Sequence, residues 1–344
     1  MAELAATAPP ALPLQFVDAD QVQQKYYEAV ADAVEECADD TEGQTCYICL
    51  DGADEEGLVR RCACREDSGF AHVSCLARGA QAAVQRGAHG WVRWHTCGLC
   101  RQEYHGVVRC ALGWACWKAY MGRPEIWPEA NLTRRDAMNQ LGNGLHAASH
   151  HEDALTVRKA ELVTLWRIGA PEDAIHTVQG NLANSYQCLG RNERALRLRR
   201  HVYSRRLQLL GEEHLKTLRA AYNYALSLLE LHRFEEAKSL MLIMIPVAQR
   251  VLGENYDITH RMRLTYAQTL YLVHDNFPPL DDLREAVTTV EETARTARRV
   301  FGNSHPLLRD IGICLQGARA ALRDREGRET QLRGRRSTSP SIGT

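Results

Sequence analysis

A 42-residue step runs through the second half of this chain. Gly169, Gly211 and Gly253 stand 42 residues apart, and so do Asn181, Asn223 and Thr265. Ala183, Ala225 and Ala267 keep the step, as do Leu189, Leu231 and Val273, and Ala195 with Ala237. Gly253 to Gly302 is 49, so one copy carries seven extra residues, visible as DNFPPLD before Leu283. Asn139 lies 42 before Asn181 and marks a weaker first copy. Each copy holds two amphipathic helical stretches. In one copy the first ends near Leu189, a break follows at Gly190–Arg191, and the second runs from Glu193 to Leu210. One helix pair cannot bury its own apolar face, whereas stacked pairs can. Small residues such as Ala183 and Ala195 let the helices approach closely. The pattern predicts a solenoid with a concave surface.

The copies resemble tetratricopeptide repeats of the long kinesin-light-chain type. The resemblance rests on APEDAIHTVQGNLANSYQCLGRNERALRLRRHVYSRRLQLLG and GEEHLKTLRAAYNYALSLLELHRFEEAKSLMLIMIPVAQRVLG, and it covers about 131–322. The family usually opens each copy with a His-Pro step. His305–Pro306 keeps it, while His214–Leu215 and Ala170–Pro171 keep half. The resemblance implies a groove that takes a protein target.

The first half carries a different signal. Twelve cysteines occur in the 344 residues, and seven of them fall between Cys46 and Cys100. No export signal is visible, so tight pairs of this kind point to metal rather than to disulfides. In order they read Cys46-x2-Cys49, twelve residues, Cys62-x-Cys64, seven residues, His72-x2-Cys75, twenty-one residues, Cys97-x2-Cys100. Zinc takes four N/S ligands in a tetrahedron at about 2.0–2.3 Å. Two ligands on a tight turn grip an ion from one side, and a second pair closes the shell. Eight ligands therefore make two closed sites, structural rather than catalytic. Spacing alone does not choose between sequential and interleaved pairing. The segment has few large apolar residues, and zinc supplies the missing folding free energy, about 10–16 kcal/mol per structural site.

The stretches CYICL, RCACREDSGFAHVSCL and CGLCRQEYHG resemble the RING-CH zinc finger, the variant RING of ubiquitin ligases, in its order of four Cys, one His and three Cys. The single residue between the third and fourth ligands separates it from a PHD finger of the same ligand order. The resemblance implies a cross-brace with two zinc ions, one on Cys46, Cys49, His72 and Cys75, the other on Cys62, Cys64, Cys97 and Cys100. It also implies an activity. A RING finger has no nucleophile; it holds a ubiquitin-conjugating enzyme charged with ubiquitin and orients the thioester for attack by a lysine amine. Ile48 and Leu99 match the apolar docking residues, and Arg101 matches the cation that bridges enzyme and ubiquitin. Two positions depart from the family. Leu76, Ala77, Arg78 and Gly79 stand where a Trp usually follows the sixth ligand, and Gly98 stands where Pro is common. The alternative is a non-catalytic zinc-finger and repeat adaptor.

The expected architecture is mostly α, a small zinc-stapled RING-like module followed by an α-solenoid of helix-turn-helix repeats. Its expected segments are 1–44, a tail and a helix; 45–106, the finger; 107–130, a packed connector; 131–322, the repeats; and 323–344, a disordered tail. The helix is expected over 20–38, capped by Asp20, with Val22, Tyr26, Ala29, Val30, Ala33, Val34 and Cys37 on its apolar face. Lys plus Arg number 42 and Asp plus Glu 43, so no nucleic-acid partner is expected. The longest greasy run, Leu240 to Ile245, falls far short of a membrane span, and the expected location is cytoplasmic, with the nucleus as second choice. His89, His95 and His105 are expected at the surface. Cys110 and Cys116 are expected as buried thiols, and Cys188 and Cys314 in the repeat core. His150–His151 reads as a solvated turn. The run Arg194, Arg197, Arg199, Arg200, Arg205 and Arg206 reads as a wet helix face that could meet an acidic partner.

Overall fold

A computed structural model describes residues 16–53, 56–64, 68–122, 128–272, 278–302 and 305–337. The Ala/Pro-rich residues 1–14, Trp127 and the start of the DNFPPLD insertion lie outside the described residues. Among those described there are twelve α-helices and no strand; the nearest thing to a sheet is two isolated bridges, Val59 with Ala71 and Thr96 with Glu103. The chain forms two compact units, Met1–Arg191 and Asn192–Thr344.

The first unit begins with α1 (Ala19–Thr41). Its cap is Asp18, not Asp20: the Asp18 carboxylate accepts from Gln21 N at 3.0 Å. Asp20 lies within the first turn, where a carboxylate still complements the exposed N–H groups. The buried face is Val22, Tyr26, Ala29, Val30, Ala33, Cys37 and Thr41, with Val34 only partly covered. After the cysteine-rich loops come α2 (Val73–Gln85), a 3₁₀ turn (Ala88–Trp94), α3 (Gly106–Tyr120), α4 (Pro128–Ala147), α5 (His151–Arg167) and α6 (Glu172–Cys188).

The supposed connector holds the central helix of this unit. Helix α3 is apolar around its whole circumference and is buried along nearly its whole length, between α1 and α4. A helix without a polar face has to be an interior one. Phe16 stacks on Trp114 with ring centroids 5.6 Å apart, and Trp117 Nε1 donates to Phe16 O at 2.7 Å. Helices α3 and α4 cross on glycine. A Cβ on Gly144 would lie 2.7 Å from Arg109 O, and one on Gly113 would lie 3.0 Å from Gln140 O. Gly144→Ala is therefore expected to destabilise the unit by about 1–3 kcal/mol, as overpacking does. Gly180→Ala on α6, with open space around it, is expected to stabilise by about 0.5–1 kcal/mol through helix propensity. Denaturant unfolding of the two variants checks the opposite signs.

The second unit stacks six helices: α7 (Asn192–Leu210), α8 (Leu215–Glu230), α9 (Phe234–Leu252), α10 (Asp257–Tyr271), α11 (Leu280–Phe301) and α12 (Pro306–Ser337). Each packs on the next, and α10 also touches α8 and α12, which is the pattern of stacked helix pairs. The repeat markers explain themselves. Gly211, Gly253 and Gly302 take φ of 80°, 88° and 75°, a positive φ that glycine adopts without a Cβ penalty where the chain leaves a helix. Ala225, Ala237 and Ala267 are fully buried. Ser185 and Ser227, 42 residues apart, each accept from a buried arginine, Ser185 Oγ from Arg158 Nη1 at 2.5 Å and Ser227 Oγ from Arg199 Nη1 at 2.8 Å. Arg199 thus leaves the wet charge run in which the sequence places it: its guanidinium ties two helices together.

The tail is also corrected. Helix α12 continues past 322 as far as Ser337. Arg328 pairs with Asp324 at 3.0 Å, Arg325 with Glu329 at 3.4 Å, and Arg284 of α11 reaches Glu326 at 3.8 Å. Such i,i+4 pairs support a polar helix that composition alone reads as loose. None of the described helices is long and apolar enough to cross a membrane.

Candidate metal centre

The cysteine-rich loops fold between α1 and α3 around two turns of the same construction. In the first, Cys46 N donates to Asp51 O (2.9 Å), Leu50 N to Cys46 O (2.8 Å) and Ile48 N to Cys46 Sγ (3.4 Å). In the second, Cys97 N donates to Gln102 O (2.9 Å), Arg101 N to Cys97 O (3.1 Å) and Leu99 N to Cys97 Sγ (3.4 Å). Leu50 and Arg101 close the turns at φ of 71° and 59°, a conformation that costs a side-chain-bearing residue about 1–2 kcal/mol. The turns aim backbone N–H groups at sulfur, which favours the thiolate that a metal binds.

His72 and Cys75 come from the start of α2. His72 precedes its first residue and Cys75 lies in its first turn, so a spacing of three puts both on one face. Cys62 and Cys64 sit on the loop after the Val59 bridge. The structure gathers Cys46, Cys49, His72 and Cys75 into one group and Cys62, Cys64, Cys97 and Cys100 into another, all ligand atoms of each group within 4.8 Å of one another. The first and third pairs meet, and the second and fourth pairs meet. That is the interleaved arrangement.

The donor geometry fits zinc. Cys49 Sγ lies 3.4 Å and Cys75 Sγ 3.8 Å from His72 Nδ1, and Cys64 Sγ lies 3.7 Å from Cys97 Sγ. A tetrahedron with bonds near 2.3 Å has edges of about 3.7 Å. His72 Nε2 is 2.8 Å from Gly52 O. A carbonyl only accepts, so Nε2 carries the proton and Nδ1 turns its lone pair to the sulfurs, the usual orienting contact behind a metal-bound histidine. Arg78 Nη2 donates to Cys75 Sγ at 3.1 Å. Thiolates, one imidazole and no open position describe a structural site, one that holds loops rather than activates water.

The three partner-contact residues are all at the surface. Ile48 is 43% exposed and Leu99 50%, each inside one of the turns, and Arg101 is exposed directly after the second. The turns lie side by side, since a Cβ on Gly98 would sit 3.2 Å from Tyr47 Oη and 3.0 Å from Arg93 Nη1. Both neighbours are side-chain ends, and a larger residue at 98 requires them to give by a few tenths of an ångström. Leu50, 76% exposed, adds to the apolar surface and was not singled out by the sequence; its place beside the second ligand was the available signal. No aromatic stands after Cys75: Leu76 and Ala77 are buried, Arg78 and Gly79 exposed. Trp94 is fully buried, and its ring meets Tyr120 edge-on.

Other predicted residues sort as follows. Burial pushes the Cys110 thiol up to about 12 and Cys116 well above the usual range, so both are unreactive. Cys314 is buried in the second unit, and His105 is exposed. Cys188 is not in the core: as the last residue of α6 it stands where the helix leaves its neighbours, and it is exposed. His150 is exposed, while His151 is half-buried.

The tetratricopeptide repeat family matches residues 174–242, from α6 into α9. No curated protein matches the chain by sequence. Among solved structures, it is similar to the BtubC (BKLC) protein of P. vanneervenii at 14% identity and a TM-score of 0.49, over 79% of this chain and 93% of that one. It is also similar to a putative kinesin light chain of Podosopora anserina with nearly identical TPR-like repeats, at 15% identity and a TM-score of 0.45, over 67% of this chain and 99% of that one.

Proposed function

We propose that this chain is a RING-type ubiquitin-protein ligase acting in the cytoplasm. Its two zinc ions, on Cys46, Cys49, His72 and Cys75 and on Cys62, Cys64, Cys97 and Cys100, hold two adjacent turns rigid. The observation that supports the reading is the surface of those turns, where Ile48, Leu99 and Arg101 are each exposed. A ubiquitin-conjugating enzyme docks on the two apolar side chains. The Arg101 guanidinium, a planar fork of donors, bridges the enzyme to ubiquitin and restricts the thioester to orientations a lysine amine can attack. The repeats bind the protein target, and one chain carrying both modules raises the local concentration of target lysines.

A purified mixture of activating enzyme, conjugating enzymes, ubiquitin, ATP and this chain tests the reading. Self-modification is expected, with a loss of at least about tenfold in Ile48→Ala and in Arg101→Ala at unchanged zinc content, on the scale of losing orientation. Self-modification that persists in both variants would refute the assignment of these contacts. An inert wild-type chain across a panel of conjugating enzymes would favour the adaptor reading. Exposed Arg78 and Gly79, in place of an aromatic after Cys75, speak for that second reading.

A further inference from the structure

We infer that His146, His151 and Cys188 form a third metal site, a three-ligand zinc site that ties the turn between α4 and α5 to the end of α6. A ring nitrogen of each histidine and Cys188 Sγ lie within 4.8 Å of one another. The site shares no residue with the eight-ligand centre and does not rest on the ligase reading.

Three helix ends build it. His146 is on the last turn of α4, His151 is the first residue of α5, and Cys188 is the last residue of α6. The turn between the histidines is fixed by its backbone: Ser149 takes φ 65°, Ser149 N donates to His146 O (3.1 Å) and His150 N to Leu145 O (2.9 Å). The end of α6 is held twice. Arg158 Nη1 of α5 donates to Asn181 O at 2.8 Å and to Ser185 Oγ at 2.5 Å, and Arg191 pairs with Glu152 at 2.5 Å. The donors are thus brought together by contacts that need no metal.

The second observation concerns the rings. His146 and His151 pack with centroids 5.1 Å apart, and the Nδ1 atom of each is closed off from solvent with no hydrogen-bond partner. Buried polar atoms are paired in the great majority of cases, and an unpaired imidazole nitrogen, in the tautomer that leaves it unprotonated, offers a lone pair to an ion. An ion bound through the Nδ1 atoms satisfies both at once. Cys188 is exposed at a helix end, so its side chain is free to adjust to the edge of a tetrahedron. Two imidazoles and a thiolate are borderline-soft donors, suited to zinc or cobalt and not to magnesium or calcium. Three ligands leave the fourth position to water, unlike the closed centre near α2. Arg158 lies within electrostatic range of His146 and Cys188. Its charge favours the thiolate and opposes the cation, and with three protein ligands against four this ion is held less tightly than the other two.

Elemental analysis of the full chain, after equilibration with excess zinc and removal of free metal, tests the inference. Wild type is expected to hold one zinc ion more per chain than Cys188→Ser or His151→Gln. Because the readout is the difference between chains and not the total, loss of the eight-ligand centre does not change it. Titration with Co(II) is expected to give a sulfur-to-cobalt charge-transfer band that is weaker in Cys188→Ser. Cys188 is exposed, so that variant keeps its helical circular dichroism and remains decisive if His151→Gln misfolds. Equal zinc content in wild type and Cys188→Ser would overturn the site.

Discussion

Withdrawing metal with a strong chelator is expected to unfold residues 46–100 while Asn192–Thr344 stays helical. Among the described residues there, the elements are few: a helix of 13 residues, the 3₁₀ turn Ala88–Trp94 and the Val59–Ala71 bridge. Their buried apolar side chains, such as Leu58, Val59, Phe70 and Trp94, are covered by α1, α3 and each other only while the loops keep their course. Each closed zinc site contributes on the order of 10–16 kcal/mol, against a whole-domain stability of about 5–15 kcal/mol. Losing either site is therefore enough. Cys49→Ala or Cys64→Ala is expected to act like the chelator, whereas Cys314→Ala, in the second unit, leaves the loops intact. Limited proteolysis is the measurement: cleavage after Arg60, Arg61 and Arg86 is expected to appear only when metal is gone. Unchanged resistance at those bonds in chelated protein would contradict the assignment of both ligand groups.

Glu161→Gln is expected to stabilise the first unit above pH 8 and to leave it unchanged near pH 4.5. Glu161 lies on α5, is 1% exposed, and its Oε2 has no hydrogen-bond partner. Burial raises its carboxyl to about 8, although Arg135, the Asn139 side chain and Arg158 pull the other way. The sign follows from proton counting. Below pH 4.5 the acid is protonated folded and unfolded, and nothing is lost. Between 4.5 and 8 the unfolded chain releases the proton and the folded chain keeps it, so stability falls with rising pH. Above 8 the full cost is present, on the order of 5 kcal/mol at about 1.36 kcal/mol per pKa unit. Glutamine keeps the shape and carries no proton to lose. Thermal unfolding at pH 5, 7 and 9 separates the outcomes: a gain that grows with pH supports the buried neutral acid, and a gain or loss equal at all three sinks it.

The eight ligands were legible because coordination chemistry demands particular atoms at short spacing. Cys-x2-Cys and His-x2-Cys each fit one turn, so the pairs show themselves locally. What the spacing left open was which pairs share an ion, because that depends on how loops of twelve and twenty-one residues return. The structure brings the first pair to the third through α2, whose first turn carries His72 and Cys75 together. The third group escaped the sequence reading for the same reason. His146 and His151 are five apart and Cys188 stands 37 residues further on, so nothing local marks them as partners.

The repeats were legible through residues whose job is local. Gly211, Gly253 and Gly302 follow helices at positive φ, and no neighbour has to be known to expect glycine there. Misplaced features were those in which a partner decides. Arg199 and Cys188 were read from chemical type alone; one is buried on Ser227 and the other left at a helix end. The segment that holds α3 reads as a packed connector from its tryptophans and the prolines after them, and a helix covered on all sides has no polar face to mark it.

By itself the chain's order of residues determined where helices stop, that they recur every 42 positions, and which eight side chains are available to metal. These are short-range matters of backbone conformation and donor chemistry. Tertiary structure alone decided which ligand pairs meet, that α3 lies at the centre of the first unit, and that Ile48, Leu99 and Arg101 are each exposed. Burial and encounter are properties of distant segments brought into contact, and no local spacing encodes them.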